Sequence, residues 1–555
     1  MPTAGPSTRP SAASLAPSPP PPPSSSDSSS GGLARSAASA GAATLTSRIL
    51  GVVREQVLAS LFGAGNAMDA YNVAYRIPNL VRDLFAEGAM SSAFVPMFTR
   101  HLTTSGKESA WRLGNHVINA LIVITVALVA LGIIFAEPIV RAFAGAYASV
   151  PGKLELTVYL TRIMLPFLTF VALAAAFMGM LNSLHRFFIP ALSPAMYNVA
   201  TIACAFAVVP FMPAVGLPAI AGIAIDSLIG GVAQLALQWP ALRREGFRYR
   251  PALDWHDESL RRVLVLMGPG TIGLAATQVN VFVNTVLATG EGTGAVSWLN
   301  YAFRLMYLPI GLFGVSIATA TLPAVSRHVA QNDEAGARRT IADGLSLMTM
   351  LNVPATIGLM LLATPIVRVI FERNAFTAAD TAATAAALQF YALGLLGYSV
   401  VRIASPTFYA LGQNRTPVIV SVATVLVNAA LNIVLVRVMG YQGLALGTSI
   451  AALFNAVLLM ILLRRRLHGI EGGRVFHSFV RIAAASALMG AATFATDRAL
   501  ALWLPGDALV VQIVRVAATI GVALVVLAGA AHVLHVREFR EGMALVTRRL
   551  ARRPR

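Results

Sequence analysis

The chain has one cysteine in 555 residues, Cys204, and it stands inside an apolar run. Intrachain disulfides and multi-cysteine metal sites are thereby excluded, and a lone thiol in that setting reads as a small core residue. Charge is also scarce: Asp, Glu, Lys and Arg make up 12% of the residues against 56% hydrophobic, and the mean hydropathy is +0.70. A soluble globular protein does not have that composition. Missing too are a Walker loop, a nucleophile elbow, a Cys/His cluster and a paired-carboxylate motif with supporting context. Acidic residues number 24 against 42 basic ones, a formal charge of +18. That excess lies in short loops between apolar runs and not in an aromatic-interleaved basic domain, so its pattern is topological and nucleic acid is not an expected partner.

What is present is sequence of membrane-crossing length. Apolar runs at 117–136, 199–212, 345–363 and 509–531 approach the length a helix needs to cross about 30 Å of hydrocarbon. The apolar residues run continuously and do not alternate, which predicts helices and not a barrel. Breakers divide the chain into fourteen expected spans, near 41–62, 67–99, 115–137, 156–183, 190–211, 217–239, 260–289, 295–326, 340–363, 382–411, 416–438, 443–463, 476–503 and 508–535. Every second loop carries the Lys/Arg excess, including Lys107 and Arg112, Arg186, Arg243 to Arg262, Arg327 to Arg339, Arg415, and Arg464 to Arg466. By the positive-inside rule those loops and both termini are cytoplasmic. Residues 1–40, rich in Ser and Pro with an unbroken proline run from Pro19 to Pro23, contain no signal-peptide core and are expected to be a disordered cytoplasmic tail. A basic tail, 536–555, is expected at the other end.

An internal repeat divides the rest. R-I-P-N-L-V-R-D-L-F-A-E-G-A-M-S-S-A-F-V-P-M-F-T-R-H from Arg76 to His101 parallels R-L-M-Y-L-P-I-G-L-F-G-V-S-I-A-T-A-T-L-P-A-V-S-R-H from Arg304 to His328. Both open on Arg, contain Leu-Phe and close on Pro-x-x-x-Arg-His, so span 2 corresponds to span 8. The expected organisation is an all-α polytopic membrane protein: an N-lobe of six helices (41–240), a parallel C-lobe of six (258–465), and two further helices (476–535). Transporters built from such repeats bind substrate near the midplane between halves.

The charges inside the spans carry the functional signal. A guanidinium in hydrocarbon costs at least about 2.5–3.5 kcal/mol on insertion scales, so such groups line wet cavities and meet anions. Arg48, Arg54 and Glu55 lie in span 1; Asp69, Arg76, Arg82, Asp83 and Glu87 lie in span 2 with Asn79; Arg304 lies in span 8. At 100° per residue Arg48, Gly51 and Glu55 share a face and Arg54 points about a third of a turn away, while Asn300, Arg304 and Tyr307 share another. The carboxylates read equally well as partners that hold a bundle together. Arginines drawn from both halves fit a midplane anion site, and the guanidinium's planar fork suits phosphate. Asn284, Asn428 and Asn432 form a weaker set, read as interhelical hydrogen bonds or as a cation site.

T-S-R-I-L-G-V-V-R-E (46–55), F-G-A-G-N-A-M-D-A-Y (62–71), the segment 76–96, S-W-L-N-Y-A-F-R-L-M-Y-L-P-I-G-L-F-G-V (297–315) and F-Y-A-L-G-Q-N-R-T-P-V (408–418) closely resemble the MurJ (MviN) family of bacterial lipid II flippases, within the MOP transporter superfamily. The resemblance covers roughly 40–540. It implies two six-helix lobes with two C-terminal helices forming a groove for a lipid tail. It also implies that Arg48, Arg54, Arg82 and Arg304 match the family's cavity arginines beside Glu55, where some members have Asp. Asp69 and Glu87 would belong to its gate or polar network; Arg76, Asn79 and Asp83 are added to that network from the reading of span 2 itself, and Asp83 and Phe303 stand where other members differ. Some relatives bind sodium through acidic residues on helices 7 and 11; Asn284 and Asn432 stand there in this chain.

The expected activity is movement of lipid II, an undecaprenyl-pyrophosphate-linked disaccharide-pentapeptide, from the inner to the outer leaflet of the bacterial inner membrane. Arginines would hold the pyrophosphate, the tail would stay in lipid, and Pro78 and Pro309 would serve as bend points for alternating access. No cofactor is expected; membrane potential, proton or sodium coupling all remain open as the drive, and cell-wall synthesis machinery is an expected partner. The alternatives are a flippase or exporter for another polyprenyl-linked oligosaccharide, and, in a different class, a polyprenyl-phosphate enzyme or a cell-wall assembly scaffold.

Overall fold

The computed structural model describes residues 26–84, 90 and 93–540, and among them the chain is helical with no strand. The first lobe comprises α1 (Ser26–Phe62), α2 (Asn66–Arg82), α3 (Val95–Thr104), α4 (Gly106–Ile134), α5 (Ala136–Ala144), α6 (Lys153–Met164), α7 (Phe167–Ser183), α8 (Phe188–Ala207) and α9 (Ala221–Arg244). The second comprises α10 (Glu258–Thr289), α11 (Ala295–Pro309), α12 (Val315–Ala330), α13 (Glu334–Leu361), α14 (Ala363–Phe371), α15 (Ala378–Leu393), α16 (Leu395–Ala410), α17 (Arg415–Met439) and α18 (Tyr441–Arg466). Then α19 (Gly472–Trp503) packs along α13, and α20 (Leu509–Val533) packs along α19. Local chemistry starts several of these helices: the Asp257 and Asp333 carboxylates cap α10 and α13, and Thr377 with Asp380 forms a capping box at α15, satisfying amides that the first turn leaves without partners.

The repeat extends further than the sequence comparison reached. Span 2 is broken into α2 and α3 as span 8 is into α11 and α12, and the fourth and tenth spans are each broken as well, α15 and α16 meeting at 41°. Between the third and fourth helices of each lobe lies a short helix absent from the expected spans. These are α5, A-E-P-I-V-R-A-F-A, and α14, A-T-P-I-V-R-V-I-F.

Each of the fourteen expected spans overlaps a helix or a broken pair. Among the described residues nine helices are long and apolar enough to cross a membrane, or ten with α15 and α16 taken as one span. The first, second, seventh and eighth expected spans fall outside that set; the first contains Arg48, Arg54 and Glu55, and the second and eighth are broken. Helix α1 also runs back to Ser26, inside the segment expected to be a disordered tail. No proline follows Pro23 before the first span, so nothing blocks propagation of the helix. At the other end Val536 and Phe539 pack against Met350 and Ile482, so the basic tail is anchored at its start.

The buried apolar clusters are distributed unevenly along the membrane normal. At the end opposite the Arg-rich loops one continuous core joins both lobes, from Leu58, Met68 and Tyr71 through Tyr301, Phe371 and Phe376 to Leu388. At the Arg-rich end the cores are separate: Phe94, Phe98, Met180 and Phe247 in the first lobe, and Val325, Leu345, Phe408 and Leu463 in the second. The lobes are fused at one end and split at the other.

Candidate functional site

Where the lobes meet, α1 and α11 bring three charged side chains together. The Glu55 carboxylate accepts from Arg54 Nε at 3.1 Å and lies 2.9 Å from Arg304 Nη1. Arg54 is turned into the wall of the first lobe, with its guanidinium 5.3 Å from the Tyr197 ring of α8, and its side chain is only 10% exposed. Arg304 is held at Nε by Asn300 one turn earlier on α11 and is 37% exposed. One carboxylate therefore serves two guanidiniums, and the trio keeps a net positive charge whose open face is Arg304.

Arg48, Gly51 and Glu55 line one cavity of about 220 Å³ together with Phe303, Arg304 and Tyr307, in line with the shared helix faces expected for both segments. Arg48 also reaches a second cavity of about 520 Å³, bounded by Ser47, Asn182, Phe187 and Pro190. Its guanidinium occupies the space that a side chain at Gly311 would fill: an ideal Cβ there would lie 1.7 Å from Arg48 Nη1. Gly311 belongs to a wide helical turn, Ile310–Gly314, that follows Pro309. Arg82 is placed differently. It pairs with its neighbour Asp83 at 2.6 Å, and Asp83 also accepts from Gln278 of α10 at 3.4 Å; neither joins the Glu55 trio. Arg76 is half-buried within electrostatic reach of Arg304 and Asp83. Asn79 donates to the Tyr75 carbonyl of its own helix. Glu87 lies outside the described residues.

Asp69 sits at the fused end with no exposed surface. Its carboxylate pairs with Lys153 at 2.8 Å and accepts from the Gly294 amide at 2.7 Å, the Ser297 amide at 3.1 Å and the Ser297 hydroxyl at 2.7 Å. Asn72 donates to Ser297 and accepts from Asn300, and Tyr301 donates to the Gly63 carbonyl. Gly63 has φ +60° and lies against the Ala375 carbonyl, where a Cβ would come within 2.3 Å, so glycine alone satisfies both demands. The closure continues through Thr293 to Asn66 and through Asn374 and Ala375 to Ser60.

Two residues in this arrangement did not emerge from the sequence. Lys153 looks like a loop cation, yet its side chain is 1% exposed beneath Asp69 and lies over the Tyr147 ring at 4.1 Å. Arg402 of α16 donates to the Tyr307 hydroxyl and sits 5.5 Å from that ring; it carries the same signal as Arg304, a single charge in an apolar run. Asn432 donates to Asn284 at 2.6 Å, linking α17 to α10, while the Asn428 and Asn432 amide oxygens accept nothing. Among the described residues no three His, Cys, Asp or Glu side chains cluster as metal ligands. A third cavity, about 920 Å³, opens at the Arg-rich end between α12, α13 and α19, apolar at Ile317 and Leu347 and rimmed by Arg474, His477 and Arg481.

Comparison with known proteins places this geometry in a family. The family model described as "Lipid II flippase MurJ" matches residues 58–513. The "Lipid II flippase MurJ" of Burkholderia cenocepacia is 35% identical over 427 residues, 76% of this chain and 82% of that protein. The "Probable lipid II flippase MurJ" of Vibrio cholerae is 34% identical over 488 residues, 85% of this chain and 90% of that protein. A solved structure titled "Lipid II flippase MurJ, inward closed conformation" superimposes with a TM-score of 0.72 at 28% identity, over 89% of this chain and 99% of that one. A multidrug-resistance MATE transporter of the MOP superfamily, inward-facing, shares the fold at TM-score 0.63 and 14% identity, over 77% and 96% of the two chains.

Proposed function

The chain belongs to the MurJ family of lipid II flippases, and from that premise we propose that it carries lipid II across the bacterial inner membrane by alternating exposure of a cavity between its lobes. It is a multi-pass membrane transporter. The Arg-rich loops and both termini face the cytoplasm by the positive-inside rule, so the split end opens inward and the Asp69 network closes the outer end. The observation that carries the reading is the Glu55 trio: cations from both lobes converge below a sealed outer end, with Arg304 partly exposed.

In this mechanism the diphosphate enters from the cytoplasmic side and competes for the guanidiniums that Glu55 holds. Arg304 and Arg48 bind it directly as forked donors. Arg54 keeps Glu55 in place and lends positive potential from within the first lobe. The headgroup remains in water between the lobes while the polyprenyl tail stays in lipid, and the cavity bounded by α12, α13 and α19 is the place for it to lie. Diphosphate binding to cations from both lobes favours states in which the lobes close around it, and outward opening requires the Asp69 network to part. The cell interior is negative, so outward movement of each uncompensated anionic charge is favoured by about 2.3 kcal/mol per 100 mV, and membrane potential is the proposed drive. Cell-wall synthesis enzymes are the proposed consumers of the exported substrate. A cation exporter on this fold would concentrate carboxylates at the chamber, whereas the groups facing it here are mainly arginines.

The test is rescue of a depleted strain, scored by the accessibility of lipid II at the outer surface. Arg304→Ala is expected to abolish outward exposure at normal expression, and Arg304→Lys to restore only part of it, because a point charge lacks the fork. Full rescue by Arg304→Ala overturns the anion site.

A further inference from the structure

Arg402 has no part in the diphosphate site described above, and its surroundings are unlike those of Arg54, Arg82 and Arg304. Arg54 and Arg304 share Glu55, and Arg82 has Asp83. Arg402 has no ion-pair partner among the described residues; what holds it is Tyr307, through a hydrogen bond to the hydroxyl and a contact with the ring. Tyr307 stacks on Phe303, which meets Tyr398 edge-on, one turn before Arg402 on α16. The stem of Arg402 lies in a space left by Gly314, where an ideal Cβ would be 3.5 Å from its Cδ. The side chain is half-buried, so its head is neither sealed in the core nor free in bulk solvent.

The repeat shows that the bent span does not need this charge. In the first lobe α7 occupies the position of α16, and its sequence, F-L-T-F-V-A-L-A-A-A-F-M-G-M-L-N-S, contains no charged residue. Tyr307 lies three residues beyond Arg304 toward the Arg-rich end, about 4.5 Å along the axis, and lines the same cavity as Arg304 and Arg48. Arg402 therefore stands on the inward side of the diphosphate site, steered by an aromatic hydroxyl and with no ion-pair partner among the described residues.

We propose that Arg402, reached through Tyr307, is a second anion subsite beside this cavity, and that it takes a carboxylate of the headgroup's peptide while Arg304 takes the diphosphate. This rests on the substrate assignment above. The consequence is selectivity: a lipid diphosphate that lacks the peptide engages one site, and the complete precursor engages two.

The experiment measures binding of two lipids to the purified full-length protein, lipid II and undecaprenyl pyrophosphate, which has neither sugar nor peptide. Arg402→Gln is expected to weaken lipid II about tenfold or more, the scale of one charge-assisted hydrogen bond, and to leave undecaprenyl pyrophosphate unchanged. Arg304→Gln is expected to weaken both. Tyr307→Phe, which keeps the ring and removes the hydroxyl, is expected to show a smaller loss confined to lipid II. Equal weakening of both lipids by Arg402→Gln, or no effect on either, overturns the proposal. Should Arg402→Gln fail to fold, the wild-type protein is tested with lipid II whose peptide carboxylates are amidated: weaker binding supports the subsite and unchanged binding refutes it. Failure of the underlying substrate assignment reads differently, as Arg304→Gln leaving both lipids unaffected.

Discussion

Glu55 and Asp69 are both carboxylates on the first lobe that reach cations or donors of the second, yet their environments assign them different work. Glu55 binds a partly exposed Arg304 that water and anions can reach. Asp69 and Lys153 are sealed, at 0% and 1% side-chain exposure. Removing one member of a fully buried pair leaves an uncompensated charge, at a cost of roughly 3–5 kcal/mol. Asp69→Asn is therefore expected to lower the thermal unfolding midpoint in detergent sharply. Adding Lys153→Met to that variant should recover part of the loss, because no stranded ammonium remains. A single variant as stable as the wild type would mean that the pair does not hold the outer end closed.

At the scale of elements, close backbone approach accounts for much of the packing. An ideal Cβ at Gly397 of α16 would lie 2.6 Å from the Ala452 carbonyl carbon of α18 and 2.7 Å from its oxygen. Backbone cannot swing aside as a side chain does, so Gly397→Ala must separate the two helices, at about 1–3 kcal/mol. Gly358 of α13 has no neighbouring atom within 4 Å of its ideal Cβ, and Gly358→Ala is the matched substitution expected to cost nothing; paired thermal midpoints check both. The loops at the Arg-rich end are tied by Glu245, in the turn after α9, which accepts from Arg186 at 2.8 Å and Lys107 at 3.4 Å. The Arg186 hydrogen bond outweighs the opposing effect of burial and, with Lys107, holds its carboxyl below the usual 4.5. A carboxyl depressed in the folded state contributes stability that is present above its unfolded value and is lost as pH falls through the lowered one. Glu245→Gln should therefore be less stable than wild type near neutrality and match it once the pH drops below the folded value, as measured by unfolding midpoints across the acid range.

The same elements show what could be read from the sequence. Continuous apolar runs located the spans, and the 100° step placed Arg48, Gly51 and Glu55 on one face because a helix fixes those directions without tertiary information. The helices α5 and α14 escaped because nine residues are too few to form a span, and each of them abuts an apolar run. Lys153 escaped because a cation at a helix start reads as a loop residue; only the fold carries it beneath Asp69, 84 positions away. Adjacent pairs such as Arg54 with Glu55 are the hardest to read, since neighbouring residues point in different directions until their long side chains bend toward one another.

For the whole molecule, the distribution of burial defines the conformational step. One core spans both lobes at the end opposite the Arg-rich loops, and two separate cores lie at the Arg-rich end, so in the proposed orientation opening outward must uncover apolar surface between the lobes and break the Asp69, Asn72 and Tyr301 hydrogen bonds together. A covalent tie across that seam should therefore stop transport without touching the cation cluster. Thr293 donates to Asn66 across it at 2.8 Å, and the native Cys204 is buried at 6% exposure, so it interferes little with an engineered pair. In Asn66→Cys/Thr293→Cys, oxidation is expected to abolish the appearance of lipid II at the outer surface while the purified protein still binds it, and a reductant is expected to restore transport. Each single variant under the same oxidant should transport normally. Transport that persists in the fully cross-linked protein would show that this seam does not open, and the substrate would then need a path that leaves the outer end of the two lobes joined.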